Sequence, residues 1–417
     1  MVEIVFIGDD FTGASDTLAT LAERGANVQL FLDAPEAGET DGLDAVGIAT
    51  DLRTRSPEEI DARLRALVPS VRRLAPRFVH YKICSTFDSA PHVGSIGAAV
   101  LTLEEGLAPC RTILLGGQPS LGRYCLFANL FARAPDGRTY RIDRHPIMRA
   151  HPVTPMGEAD LRVHLAMQGL HGLVSVNREE LRSGPNALQP RGNRILVDAV
   201  EQPDVDRFGE LLRGITQDAP VLVVGASGVA EALVLGGPSL MQPAANADWR
   251  TGPVLAIAGS RSSATAAQVF AAASYERLPV EPGDLTQPAQ LVDRSVRHLA
   301  AGRNVLVHLQ PSKDYGCSPA ALSRFLADLT HAVFHRHRPA RLLVAGGDTS
   351  SAVVERLRFR SLSFVQRMGS GVAVCRGHAP DGSVDGTTLL LKGGQVGDVN
   401  LFDRYVAEAA NSYNFSR

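Results

Sequence analysis

Val2-Glu3-Ile4-Val5-Phe6-Ile7-Gly8-Asp9-Asp10-Phe11-Thr12-Gly13-Ala14-Ser15-Asp16 opens the chain and decides its class. Val2 to Ile7 is a short apolar run that ends in Gly8-Asp9-Asp10, the pattern of a strand buried on both faces and opening into a loop. From Thr12 to Arg24 the apolar residues Ala14, Leu18, Leu21 and Ala22 recur at helical spacing, and Gly25 is placed to cap the helix. Val28 to Leu32 supplies the next strand. The same strand, helix, strand order returns with Ala45 to Ala49, Phe78 to Ile83, Thr112 to Leu115, Arg194 to Val197 and Val221 to Val224. A mainly parallel sheet covered by helices is predicted.

At 417 residues the chain exceeds one ordinary core and fits two domains of about 150 to 250 residues each. Between Gly237 and Gly252 the texture changes to a stretch with two prolines and no clear period, which reads as a linker. The expected division is residues 1–237 for a first domain, 238–252 for the linker and 253–417 for a second domain. The pattern restarts after the linker with a strand at Val254 to Ala258, Gly259-Ser260 and a helix beginning near Ala264. Further strands are predicted at Asn304 to His308, Arg341 to Val344, Val372 to Val374 and Thr388 to Leu391. The fold class is therefore α/β, two domains, each a mainly parallel sheet flanked by helices, with a cleft between them.

Composition excludes several classes. A net charge of −2 and the lack of a Lys/Arg-rich run with interleaved aromatics argue against a nucleic-acid partner. Five cysteines, scattered and without a Cys-x-x-Cys pair, suit a reducing cytoplasm. The N-terminus has no basic region before its apolar run, so no export signal is expected. The longest apolar stretch, Pro220 to Gly236, is broken by Gly225, Ser227, Gly228 and Glu231 and reads as strand, turn and helix, so no membrane partner is expected either. The sequence leaves a homo-oligomer open. Lys82, Lys313 and Lys392 are the only lysines.

Three loops in the first domain carry chemistry. Asp9 and Asp10 stand where the first strand ends, the edge at which ligands bind in doubly wound folds. Adjacent carboxylates there, with Thr12 and Asp16, can accept hydrogen bonds from substrate hydroxyls, and one of them can orient or deprotonate an attacking oxygen. The plain structural reading is a helix cap made by Asp10 or Thr12, with Asp9 facing water. Tyr81-Lys82-Ile83-Cys84-Ser85-Thr86-Phe87-Asp88-Ser89 places a cation, hydroxyls and an acid at another strand end, suited to a carboxylate and a polyol chain. Gly116 to Arg123 is a flexible loop with one cation that can fork onto a carboxylate.

No Gly-x-x-x-x-Gly-Lys-Ser/Thr occurs, and no Gly-x-Gly-x-x-Gly follows a strand, which counts against Walker-type ATPases and dinucleotide dehydrogenases. In the second domain, however, Gly259 to Ser263, Ala345-Gly346-Gly347-Asp348-Thr349-Ser350 and Lys392 to Asp398 each follow an apolar strand. The first two lead into helices whose N-termini offer free N–H groups and a positive dipole end to phosphate. Asp348 or Asp398 is placed to help hold magnesium through water. His331 and His335 lie one helical turn apart, but the arginines around them favour a solvated basic face over a zinc site.

Taken in order, these motifs resemble the four-carbon acid sugar kinase family, whose members phosphorylate threonate, erythronate or oxo-tetronate type acids. The family's Asp-Asp-x-Thr-Gly-Ala-x-Asp is matched by Asp9, Asp10, Thr12, Gly13, Ala14 and Asp16, and its Gly-Ser-Ser-Gly-x-Ala in modified form by Gly225 to Ala230. Gly259-Ser260-Arg261-Ser262, Gly346-Gly347-Asp348-Thr349 and Lys392 to Gly397 match its three C-terminal signatures. The resemblance runs nearly the full length and implies a sugar-acid site in the N-terminal domain and ATP on the C-terminal loops, with Mg2+. The expected catalytic residue is Asp10. Expected substrate contacts are Asp9, Asp10, Thr12, Arg53, Lys82, Ser85, Asp88 and Arg123, and expected ATP contacts are Ser260, Gly346, Gly347, Asp348, Thr349 and Gly394. Many relatives carry Lys-x-Asp-Ser-Thr-Leu-Arg-Gly where this chain has Cys84 for the first Asp and Asp88 for the Arg. A cation has become an anion, so a branched or oxidised acid such as 3-oxo-isoapionate stands beside the straight four-carbon acids. The rival readings are a sugar-acid sensor that closes without chemistry and an NAD-dependent sugar-acid dehydrogenase.

Overall fold

Strands made of apolar residues alone need cover on both faces, and every residue of Ile4–Gly8, Ala45–Ala49, Val221–Gly225 and Val254–Ala258 is buried. Each fully buried Val, Leu or Ile side chain contributes roughly 1.5–3 kcal/mol to burial. The computed structural model describes residues 2–188, 192–216, 218–234, 250–369 and 371–412. Within it the chain divides into two compact units, Met1–Met241 and Gln242–Arg417. The expected linker, 238–252, lies outside the described residues except for 250–252.

In the first unit the strands are β1 (Ile4–Gly8), β2 (Val28–Phe31), β3 (Ala45–Ala49), β4 (Phe78–Lys82), β5 (Arg111–Leu115), β6 (Arg123–Leu126), β7 (Asn129–Arg133), β8 (Thr139–Arg141), β9 (Val174–Val176), β10 (Arg194–Val197) and β11 (Val221–Gly225). The main sheet runs β2-β3-β1-β4-β11-β5-β10-β9, and all neighbouring pairs are parallel. From β1 the chain builds towards β3 on one side and then crosses to β4 on the other. The order therefore reverses between β1 and β4, and the carboxyl ends of those two strands flank the crevice.

In the second unit β12 (Val254–Ala258), β13 (Tyr275–Pro279), β14 (Asn304–His308), β15 (Arg341–Ala345), β16 (Ser361–Gly369), β17 (Val372–His378) and β18 (Thr387–Lys392) follow. Their order is β13-β14-β12-β15-β18-β17-β16, parallel from β13 to β18 and antiparallel at β17 and β16. Here the order reverses between β12 and β15. Both units are thus mainly parallel α/β layers, each with its own switch point.

Helix formation follows local chemistry. Asp10 caps the helix Phe11–Glu23 by accepting the Gly13 N–H at 2.9 Å, and Gly25, at φ 91°, ends it. The antiparallel sheet β6-β7-β8 was not among the sequence expectations, because its strands are short and partly exposed and carry no long apolar run. Asp198, buried at the end of β10, holds its first turn: the carboxylate accepts the N–H groups of Phe127 and Ala128, both with positive φ. No helix among the described residues is long and apolar enough to cross a membrane. All five cysteines are free.

His80 is wholly buried in the middle of β4 and donates from Nε2 to the Gly225 carbonyl at 3.1 Å, while Nδ1 has no partner among the described residues. Burial, reinforced by the Lys82 charge, pushes its pKa down to about 3. Below about pH 6.5 the unfolded imidazole takes a proton that the folded one refuses, so stability falls by up to about 1.4 kcal/mol per pH unit from there towards pH 3. The urea midpoint measured from pH 7 to 5 should fall more steeply for the wild type than for His80→Phe; superimposable pH dependences would mean that His80 is not the source.

Candidate active site

Two residues after β1 carry the first set of groups. The Asp9 backbone is pinned on both sides, its N–H donating to the Lys82 carbonyl and its carbonyl accepting the Arg53 N–H, each at 2.9 Å. Its carboxylate is nearly buried and forks onto Arg53, with Nη2 at 2.7 Å and Nε at 3.2 Å. The same Nη2 lies 2.8 Å from Asp10 Oδ1. One guanidinium therefore bridges two neighbouring carboxylates. Burial pushes the Asp9 carboxyl above its ordinary range against the pull of Arg53; burial also opposes charge on Arg53, but Asp10 and Asp9 hold it firmly ionised.

Asp10 is both cap and candidate site residue. Oδ1 is used by Gly13 and Arg53, and Oδ2 has no partner among the described residues. Nη1 of Arg53 is likewise without a protein partner there. Gly13 keeps this close approach open: a Cβ on it would sit 2.5 Å from both Asp10 Oδ1 and the Lys82 ammonium and would displace them. Lys82, opposite Gly8 in the sheet register, is buried and donates to the Ile83 carbonyl at 2.9 Å. Asp9, Asp10, Arg53 and Lys82 thus meet at the β1–β4 switch point.

The segment after β4 closes over this group. Ile83 is tied to the Gly225 carbonyl at 3.0 Å, and Phe87, buried, takes a left-handed conformation (φ 54°) that costs a non-glycine residue roughly 1–2 kcal/mol. Cys84 Sγ lies 2.9 Å from Thr86 Oγ1, and Thr86 donates to Asp88. Asp88 is buried, and it and Cys84 are near enough to act on the Arg53 charge. Burial, with the Asp88 charge, raises the Cys84 thiol to about 11, so it is not a thiolate nucleophile near neutral pH. Thr12 and Ser85 are half-buried, and no side-chain hydrogen bond is formed by either among the described residues. Arg123 is placed otherwise. Its Nη1 turns back to the Leu121 carbonyl at 2.5 Å, and among the described residues its Nε is buried without a partner and it forms no hydrogen bond or ion pair with the Asp9–Lys82 group.

The second unit gathers a different chemistry at its own switch point. Ala258, Ala345 and Lys392 stand in register at the strand ends. The N–H groups of Gly259 and Ser260 both reach the Ala345 carbonyl, at 2.9 and 3.0 Å, and the Gly346 N–H reaches the Lys392 carbonyl at 2.9 Å. Two helices start here. Ser262 caps Ser263–Ala271 through the Thr265 N–H, whereas Gly346, at φ 130°, begins Gly347–Arg356 without a side-chain cap. Gly346 to Thr349 are therefore the open N-terminal turn of a helix beside Ser260. Thr349 is buried, Gly347 half-buried and Asp348 exposed without a partner among the described residues.

The loop after β18 packs against both. A Cβ on Gly394 would fall 2.3 Å from Ser260 Oγ, so any larger residue would displace that hydroxyl. The Gly394 carbonyl accepts from Ser262 Oγ at 2.5 Å and Thr265 Oγ1 at 2.8 Å, and Gln268 Nε2 lies within 2.9–3.2 Å of the Val396, Gly397 and Asp398 carbonyls. Of the two carboxylates expected near magnesium, Asp398 is paired with Arg404 at the surface and Asp348 has no partner among the described residues. Thr265 and Gln268 were missed from the sequence because a hydroxyl and an amide inside a short apolar helix give no signal. His331 and His335 meet edge to face at an exposed helix face, Nε2 to Nε2 at 3.0 Å, and no metal-holding cluster exists among the described residues.

Residues 4–233 match the family of sugar-binding N-terminal domains and residues 255–402 the family of nucleotide-binding C-terminal domains. The chain is 33% identical to a 3-oxo-isoapionate kinase of Paraburkholderia graminis, covering 96% of this chain and 93% of that protein. It is 29% identical to a 3-oxo-tetronate kinase of Salmonella typhimurium, over 97% and 98% of the two chains. Among solved structures, a Salmonella typhimurium protein described as a putative tRNA synthase superposes with a TM-score of 0.82 at 25% identity, covering 98% and 99%. A Haemophilus influenzae protein shares the fold with a TM-score of 0.77 at 21% identity, over 96% and 98%. With a sugar-binding family spanning its first unit, a nucleotide-binding family spanning its second and kinases aligned along nearly all of its length, the chain belongs to the four-carbon acid sugar kinase family.

Proposed function

We propose that this protein transfers the γ-phosphoryl group of ATP to a hydroxyl of a small sugar acid, with the acceptor at the β1–β4 switch point and the nucleotide at the β12–β15 switch point. The observation that carries the assignment of roles is Asp10. One of its oxygens is fixed by Gly13 and Arg53 and the other is left available, which is the arrangement a carboxylate needs to orient or deprotonate an acceptor hydroxyl. Phosphoryl transfer asks little else of a side chain, because catalysis comes from alignment of the attacking oxygen and neutralisation of charge.

In this reading Lys82 and Nη1 of Arg53 take the acid's carboxylate, and Asp9, Thr12, Ser85 and Asp88 bracket its hydroxyls. Arg123 joins them by releasing the Leu121 carbonyl. Ser260, Gly346, Gly347, Asp348, Thr349 and Gly394 hold ATP through backbone N–H groups and short hydroxyls, as glycine-lined helix N-termini do. The donor set suits magnesium carried by the triphosphate rather than a protein cage, with Asp348 as the one unpaired carboxylate among these loops. Bound there, Mg2+ would neutralise phosphate charge as the bond to the leaving oxygen breaks. We place a branched oxo acid such as 3-oxo-isoapionate ahead of threonate, erythronate and 3-oxo-tetronate. Identity to the 3-oxo-isoapionate kinase is 33%, against 28% and 29% for 3-oxo-tetronate kinases, and Asp88 puts an acid where many relatives have a cation.

A coupled ADP-release assay over linear, branched and oxidised sugar acids should give release that depends on the acid, fastest with the branched oxo acid. Release that ignores every acid would sink the kinase reading. Asp10→Asn should lower kcat by roughly 10²–10⁴-fold while the KM for ATP stays within about twofold; unchanged turnover would remove Asp10 from the chemistry. Gly13→Ala should push Asp10 and Lys82 apart and lower kcat/KM for the acid by on the order of 100-fold, with ATP binding unaffected in calorimetry.

A further inference from the structure

Lys392 ends β18, and its side chain is wholly buried. Its ammonium donates to the Gly393 carbonyl at 2.9 Å and to Thr265 Oγ1 at 3.1 Å, and no described carboxylate lies within ion-pair reach. A buried ammonium is expensive unless a counter-charge accompanies it. The surroundings make matters worse. Thr265 belongs to the first turn of Ser263–Ala271, so the cation sits at the positive end of a nine-residue helix, where an anion is favoured and a cation is not. A second open helix N-terminus, that of Gly347–Arg356, begins at the strand next to β18. Burial with nothing to offset it pulls the Lys392 pKa down to about 8. Two helix ends and an unneutralised cation at adjoining strand ends form a place of positive potential that the protein itself leaves uncompensated.

Resting on the kinase reading above, we infer that Lys392 is the buried counter-charge of the nucleotide's phosphates, and that through Thr265 and Gly393 it also sets the height of the Gly394 loop over Ser260. Thr265 accepts from Lys392 and donates to the Gly394 carbonyl, so the cation and the loop that closes on the phosphates are joined by one hydroxyl. The negative charge of bound phosphate relieves both the unpaired ammonium and the helix ends. The base and ribose gain nothing from it.

That difference supplies the test. Binding of ADP and of adenosine to the full-length wild type, Lys392→Gln and Lys392→Arg is measured by calorimetry, with thermal unfolding of each variant without ligand. Glutamine keeps hydrogen bonding to Thr265 and Gly393 but loses the charge. Lys392→Gln should bind ADP about tenfold more weakly or worse, the size of one charge acting at short range in a protein-like dielectric, with adenosine within about twofold and an unfolding midpoint no lower than wild type. Lys392→Arg should recover part of the ADP loss. Equal weakening of ADP and adenosine, or ADP binding by Lys392→Gln as tight as wild type, overturns the inference, and acid-dependent turnover by the wild type would then leave the kinase reading standing. Charge-dependent ADP binding without any acid-dependent turnover would support Lys392 and reject the kinase reading instead.

Discussion

Two carboxylates on consecutive residues at the end of a buried strand repel each other, and the β1 edge exists in its present form because Arg53 stands between them. Without a cation there, one acid would take up a proton or the strand end would have to move. The cation comes from the loop that leaves the neighbouring strand β3, where the Thr50 hydroxyl and the Arg53 N–H both bond to the Gly8-Asp9 backbone. A partly buried ion pair of this kind adds little net stability, since desolvation offsets most of the attraction. Its effect is positional: it holds one oxygen of Asp10 still, and through Gly13 it sets how near Lys82 can come.

The two units apply one topological rule to opposite chemistries. In each, the strand order reverses beside the first strand, and the chain leaves that strand into a loop facing the crevice. In the first unit those loops carry acids and long cations, suited to a polyhydroxy acid. In the second they carry glycines, serines and threonines in front of helix N-termini, with Asp348 as the unpaired acid and Lys392 beneath. The backbone architecture is shared, and the side chains at the strand ends decide what each unit can hold.

Much of this was legible in the residues. Arg194–Val197, Val254–Ala258 and Asn304–His308 fall where apolar runs put them, because a strand buried on both faces has no other way to be written. β6 to β8 were not legible because they are short and partly exposed, and the turn between β6 and β7 is held by Asp198, distant in sequence, which no local pattern encodes. In the site, Asp10 was readable as a cap, which it is, and as a reactive acid, the role proposed for the oxygen that the cap leaves over. The position of Arg53 between Asp9 and Asp10 was not readable, since a single arginine some forty residues downstream could face anywhere. The same holds for Arg123, whose guanidinium folds onto its own turn, and for the burial of Lys392, which depends on helices distant in sequence.

The place of β11 has a consequence for how the molecule is made. It is the last strand of the first unit, yet it lies between β4 and β5, and Gly225 at its end fixes Ile83 at the root of the loop that covers Asp10. Until that strand leaves the ribosome, the sheet has a gap at its centre and β4 and β5 expose unpaired edges. At ordinary synthesis rates the stretch between the ends of β4 and β11 takes about 7 to 29 s. The nascent chain must therefore shelter apolar edges for about a third of its own translation, and a demand for shelter during synthesis is built into the strand order.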